Sequence, residues 1–155
     1  FKTGDYGSID SNGFVYITGR KKEIIVLSNG KNVAPNVVES ELIQSDFINQ
    51  VMVLGDNRNY LTALIVANSD AIRSTLGSND DYPALFQSQD VIDLMKREVK
   101  LFSTNLASFE TVKKFQLLPN EFSIDGGELT PTLKLRRKEI NKKYQHLIDS
   151  LYDNI

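Results

Sequence analysis

The chain has 155 residues, 41% hydrophobic and 25% charged, a formal charge of −2 and no cysteine. That length can bury a core, the missing cysteine excludes disulfides, thiolate nucleophiles and cysteine metal sites, and the slight negative charge offers no bulk attraction to nucleic acid or membrane. No apolar run approaches the roughly 20 residues that cross a bilayer. The opening "FKTGDYGSID" starts at Phe1, not Met, and reads as the interior of something longer.

Residues 7 to 18, "GSIDSNGFVYIT", predict a β-hairpin turning at Asn12-Gly13, a pair that accepts positive φ. A second hairpin is expected in "EIIVLSNGKNV", with Ile24 to Leu27 as one arm and Asn29-Gly30 in the turn. Pro35 can then open a helix as its first residue, with Asn32 or Ala34 near the cap. Val38 and Leu42 share one face of it.

The stretch "QVMVLGDNRNYLTALIVAN" predicts two strands around the turn Asp56-Asn57-Arg58-Asn59. Val51 to Leu54 and Leu61 to Ala67 are apolar on both faces, the mark of covered central strands. A short helix from Asp70 to Leu76 follows, then a polar loop, "GSNDDYP". Val91, Met95, Val99, Phe102 and Leu106 mark a long amphipathic helix by their spacing. "KKFQLLP" is a strand ended by Pro119. A final helix is expected from about Arg136 to Asp149, with Ile140, Tyr144, Leu147 and Leu151 facing inward. The pattern makes an α+β fold: a small, mostly three-stranded sheet with packed helices, plus N-terminal β-hairpins.

Little here is chemically self-sufficient. The single histidine, His146, reads as a partly exposed helix residue. No cluster has metal-ligand spacing, no Ser-His-Asp set can be built around one helical histidine, and no GxxxxGK[ST] loop is present. Four stretches stand out: "KTGDYG", "GRKKEI", "SNGKNVAP" and "GELTPTLKLRR". Singly they read as a turn, a solvated linker, a hairpin turn and a loop entering a helix.

Read together and in order, TGD, GRxK, "IIVLSNGKNVAPNVVE" and TPTxK resemble the C-terminal end of the acyl-adenylate-forming enzymes. "LASFETVKKFQLLPNEFSIDGGELTP", "TLKLRRKEI" and "KKYQHLIDSLY" bring the resemblance nearest to the AMP-forming long-chain fatty acyl-CoA synthetases. The resemblance runs from Thr3 to the end of the chain. It implies that residues 1–21 are the last strands of a large N-terminal adenylation domain, absent here, and that residues 22–155 are a mobile C-terminal lid. It implies that Asp5 and Arg20 meet the ribose of ATP, that Lys22 is the hinge, and that Lys134 reaches the active site for adenylation. It also implies that the hairpin around Gly30 lines the CoA tunnel in the other lid pose. Glu39, after that hairpin, is read as structural.

On this reading the whole enzyme uses ATP, CoA and Mg²⁺, and the fragment alone is inactive. Its partners are its own N-terminal domain and small molecules. It is expected to be cytoplasmic, with peripheral membrane contact as the variant. Two departures stand out. Leu133 takes the place where many relatives have Gly, so the backbone there is expected to avoid positive φ. Some relatives carry a second lysine in the tunnel hairpin, where this chain has Val26-Leu27-Ser28, and no role is carried over.

Adenylation brings a carboxylate against an α-phosphate, and a lysine can meet the developing charge without acting as a base. Pro131 fixes φ and pushes Thr130 to an extended conformation, which shapes the stretch to present Lys134. One alternative is the lid of a peptide-synthetase or luciferase-like enzyme. A different class is a nucleic-acid-binding module built on "KLRRKEINKK", but Glu139 interrupts that run and no aromatic platform flanks it.

Overall fold

A computed structural model of the chain describes residues 2–153. The front of the chain is two hairpins. Strands β1 (Asp5–Ile9) and β2 (Val15–Arg20) pair antiparallel. Asp10 organises their turn: one carboxylate oxygen accepts the Asn12 and Phe14 N–H groups (2.9 and 3.0 Å), the other the Tyr16 hydroxyl (3.1 Å). The Phe14 amide, first among these donors, holds the Asp10 carboxyl below its ordinary pKa. Strands β3 (Ile25–Val26) and β4 (Asn32–Val33) form the second, shorter hairpin. Pro35 opens α1 (Pro35–Leu42), with Ala34 as its cap.

The central sheet has the order β5-β6-β7, built from Ile48–Leu54, Leu61–Ala67 and Val112–Leu118. β5 and β6 are antiparallel neighbours joined by a short turn, whereas β6 and β7 run parallel. A parallel pair needs a crossover. Three helices supply it: α2 (Ser69–Leu76), α3 (Ala84–Gln87) and α4 (Gln89–Leu101). Asn68 caps α2 by accepting the Ala71 N–H (3.2 Å), and Gly77 ends it at φ 64°.

Helices cover both faces of the sheet, which is why β6 is fully buried and apolar except for Thr62, whose hydroxyl is paired with that of Tyr152 (2.9 Å). On one face Val51, Val53, Ala63 and Ile65 pack among Val38, Leu42, Ile72, Val91, Met95 and Val99. On the other Met52, Leu54, Leu64 and Val66 meet Phe122, Ile140 and Ile148. At roughly 25 cal/mol per Å² of apolar area, these two layers supply the main favourable term in folding.

Two expectations are corrected. The long helix stops at Leu101; Phe102 and Leu106 lie beyond it yet still pack on the core, so their spacing recorded burial, not helix. The last helix is two, α5 (Arg137–Lys143) and α6 (Gln145–Ser150), broken at Tyr144 (φ −107°, ψ 18°). Tyr144 sits edge-on to Phe122 at 6.3 Å and donates its hydroxyl to Glu128 (3.3 Å), contacts that its own segment cannot announce. A short helix that the sequence reading does not place, α3, stands between the polar loop and α4.

Candidate functional site

The first hairpin brings two of the candidate residues together. Asp5 and Arg20 are cross-strand partners in register, with Arg20 Nε 3.9 Å from Asp5 Oδ1. The Arg20 side chain is 70% exposed. A pair so solvated contributes little to stability, and both groups remain open to a ligand. The hairpin also exposes a run of large apolar side chains, Ile9, Phe14, Val15 and Ile17, each about two-thirds exposed or more. A two-stranded ribbon gains little stability alone, and an exposed apolar patch of this kind is typical of interaction faces.

Lys22 lies in the turn leaving β2, outside any regular element. The turn is held by the Glu23 N–H donating to the Arg20 carbonyl (2.9 Å) and the Lys21 N–H to the Gly4 carbonyl (2.7 Å). It borders a cleft of about 400 Å³ whose lining includes Arg58, Arg137 and Lys138.

Gly30 sits in the loop between β3 and β4 with φ 82° and open space where a Cβ would stand. This hairpin rides on the β5–β6 turn. The Ser28 N–H donates to the Arg58 carbonyl (3.0 Å), the Asn57 N–H to the Val26 carbonyl (2.8 Å), and the Val26 N–H to Asp56 Oδ1 (3.1 Å). The Ser28 hydroxyl adds a bond to Asn59 Oδ1 (2.7 Å).

Lys134 stands at the end of a third hairpin. Leu129 and Leu135 bridge its base, the Thr130 N–H donates to the Lys134 carbonyl (2.9 Å), and the Leu133 N–H donates to the Thr130 carbonyl (2.8 Å). The Lys134 N–H meets Thr130 Oγ1 (3.1 Å). The Lys134 side chain is exposed, and among the described residues its ammonium has no hydrogen bond or ion pair. It is not bonded to Asp5, Arg20, Lys22 or Gly30, which lie on the other hairpins and the turn leaving β2.

Leu133 corrects the sequence reading: its φ is 62°, in the left-handed region it was expected to avoid. The reason is the loop type. The same two hydrogen bonds close the loops from Asp10 to Phe14 and from Leu27 to Lys31, with Gly13 (φ 85°) and Gly30 (φ 82°) at the equivalent place. A three-residue hairpin loop demands a left-handed residue there, and hairpin closure imposes it on leucine. That conformation costs a non-glycine residue about 1–2 kcal/mol, against about 0.5–1 kcal/mol of chain entropy for glycine. Leu133 is 68% exposed, so little burial is lost on truncation. Leu133→Gly should therefore raise the unfolding free energy by about 0.5–1 kcal/mol, while Leu133→Val should lower it. Urea titrations of the two variants check the order, and a destabilised glycine variant would show that the turn carries no strain.

Glu39 is read as structural from the sequence, but its partners are not legible there, and Glu128 is not singled out at all. Glu39 takes a bidentate contact from Arg137 (2.8 and 2.7 Å) and accepts the Val53 N–H (2.8 Å). It thereby ties α1, β5 and α5 together. Burial pushes the Glu39 carboxyl up, with Arg137 opposing. Glu128 is more deeply buried than the partly buried Glu39, at 2% exposure, and lies at the root of the Lys134 hairpin.

Among the described residues the arrangement offers presented cations and open hairpins but no assembled nucleophile and base. Among the described residues no group of three His, Cys, Asp or Glu could hold a metal ion, and no helix is long and apolar enough to cross a membrane.

Comparison with known proteins gives this arrangement a context. Residues 22–155 match the family described as AMP-binding enzyme C-terminal domain. A long-chain-fatty-acid–CoA ligase of Mycobacterium tuberculosis is 39% identical over 99% of this chain and 26% of its own length. A human long-chain-fatty-acid–CoA ligase is 31% identical over 97% of this chain and 24% of its own length. The adenylation domain of a carboxylate reductase from Mycobacterium chelonae superposes with a TM-score of 0.83 at 23% identity, covering 99% of this chain and 23% of that one. This last likeness is one of fold. The chain spans about a quarter of the length of the relatives it matches.

Proposed function

Because this chain belongs to the family of AMP-binding enzyme C-terminal domains, we propose that it is the lid portion of an AMP-forming long-chain fatty acid–CoA ligase. Residues 1–21 belong to the large adenylation domain of the whole enzyme and residues 22–155 to the lid. The reaction joins a fatty acid, ATP and CoA to give acyl-CoA, AMP and pyrophosphate. It runs in two halves, formation of acyl-AMP and its thiolysis by CoA. The observation that carries this reading is the Lys134 hairpin: an exposed, unpaired ammonium presented at the end of a closed loop, in a chain of this family.

Each candidate has one task. Lys134 Nζ meets negative charge as the carboxylate attacks the α-phosphate and pyrophosphate leaves. Asp5 accepts from ribose hydroxyls and Arg20, beside it, donates. The turn at Lys22 absorbs the φ/ψ change of lid rotation, and the Gly30 hairpin, with no side chain at its turn, lets the pantetheine chain pass. The exposed apolar strands of the first hairpin suit packing within the large domain. Mg²⁺ would travel on the nucleotide phosphates, since no acidic cluster of the described residues fits it, and no step of the lid runs through it.

The test uses the full-length enzyme with ATP, CoA and a C16 fatty acid. Acyl-CoA and AMP should form together, while the 155 residues alone should show only background pyrophosphate exchange. Formation of ADP, or no dependence on fatty acid, would overturn the proposal. Lys22→Pro gives a finer check, because proline pins φ near −65°. It should leave acyl-AMP formation near normal and cripple thioester formation, measured as separate half-reactions. Equal loss of both would place the hinge elsewhere.

A further inference from the structure

We propose that Glu128 is a positioning residue for adenylation: a buried carboxylate that sets the direction in which the hairpin presents Lys134. This deepens the reading above and rests on it. The residue lies where three segments meet. Its carbonyl accepts the Arg136 N–H (2.8 Å) and its own N–H donates to the Ser123 carbonyl (3.1 Å). The hairpin leaves the body immediately after Glu128 and returns to it at Arg136.

The side chain does the orienting. Oε1 accepts from Lys143 Nζ and from the Tyr144 hydroxyl (3.3 Å), and Oε2 accepts from the Ser123 N–H (3.2 Å). Lys143 ends α5 and Tyr144 is the break before α6, so one carboxylate joins the root of the arm to the kink in the last helices. Burial by itself raises this carboxyl, but the Lys143 hydrogen bond, the Ser123 amide and the Lys143 charge outweigh it, and it stays below its ordinary range. It is therefore ionised at neutral pH. Lys143 is raised in turn, first of all by its bond to Glu128.

The local sequence is built around this anion. A Cβ on Gly126 would lie 2.1 Å from Glu128 Oε2, so the carboxylate occupies the space that only glycine leaves free. The "DGGE" stretch is thus a seat for a charge as well as a turn. Apolar packing of Leu129 and Leu135 could hold a hairpin down by itself. A buried ion pair is weak evidence for stability, and its best-attested use is to fix one register among several. Here the register at stake is the angle of the Lys134 arm.

The experiment is Glu128→Gln in the full-length enzyme, with the two half-reactions measured separately and Lys134→Ala run beside it. The isosteric amide keeps the shape and loses the charge. Misplacing a reacting group by about 1 Å costs up to roughly 10²-fold. The expected result is a 10- to 100-fold fall in the rate of acyl-AMP formation, with KM for ATP little changed and thiolysis of supplied acyl-AMP intact. Lys143→Met should reproduce that split, and the double variant should lose far less than the product of the two effects, since the residues act as a unit. If Glu128→Gln fails to fold, Lys143→Met, at a half-exposed side chain, decides by the same split. Unchanged adenylation, or equal loss of both halves, overturns the inference. If Lys134→Ala itself adenylates normally, the proposed role of the arm fails; if that variant is slow and both Glu128→Gln and Lys143→Met are normal, only the positioning role falls.

Discussion

Lys134→Ala in the full-length enzyme should lower the rate of acyl-AMP formation by roughly 10²–10³-fold, the usual loss of about 3–4 kcal/mol for one preorganised charge contact in a transition state. Nucleotide affinity should change much less, because an interaction made only in the transition state appears in kcat and not in ground-state binding. The structure gives the reason to expect a clean effect. The ammonium has no partner among the described residues, and the hairpin is closed by backbone bonds and the Thr130 hydroxyl, so alanine removes a charge without releasing the loop. Supplied acyl-AMP should still be converted to acyl-CoA at close to the normal rate. Arginine should rescue poorly, since a planar fork does not replace a compact ammonium. Stopped-flow or quenched measurement of each half decides the matter: normal adenylation, or parallel loss of both halves, would make Lys134 an ordinary surface cation.

The second large effect concerns stability. Glu39→Ala should lower the unfolding free energy of the chain by about 3 kcal/mol, the low end for breaking a buried ion pair, because the Arg137 guanidinium would be left half-sheltered with no anion. The low end applies because the Arg137 side chain keeps 22% of its exposure. The Val53 N–H would lose its acceptor as well. Glu39→Gln should fall between wild type and alanine, since the amide oxygen can still take the Val53 N–H. Urea unfolding monitored by tyrosine fluorescence and circular dichroism checks both. A loss below about 1 kcal/mol would class the contact with solvated surface pairs.

The local elements were readable because their causes are local. Pro35 pre-sets the first turn of α1, Gly13 and Gly30 supply positive φ, and the largely apolar runs Val51 to Leu54 and Leu61 to Ala67 anticipate a sheet covered on both faces. The motif order from Thr3 to Lys134 pointed to a family that the comparisons bear out. The roles of Asp5, Arg20, Lys22, Gly30 and Lys134 within it remain proposals that the half-reaction assays test.

Only the tertiary structure decided the rest, and in each case the cause lies far along the chain. Glu39 meets Arg137 across 98 positions and Arg58 meets Asp149 across 91, separations at which no periodicity or spacing rule operates. The final helix broke because Tyr144 exchanges helical geometry for contacts to Phe122 and Glu128. Leu133 adopts a conformation its own side chain disfavours because hairpin closure dictates the backbone there. The missing Cβ of Gly126 makes room for a carboxylate two residues on. Propensity and pattern describe what a segment does for itself; a buried charge must find its counter-ion wherever the fold brings one, because leaving it unpaired away from water costs more than any local preference can offset.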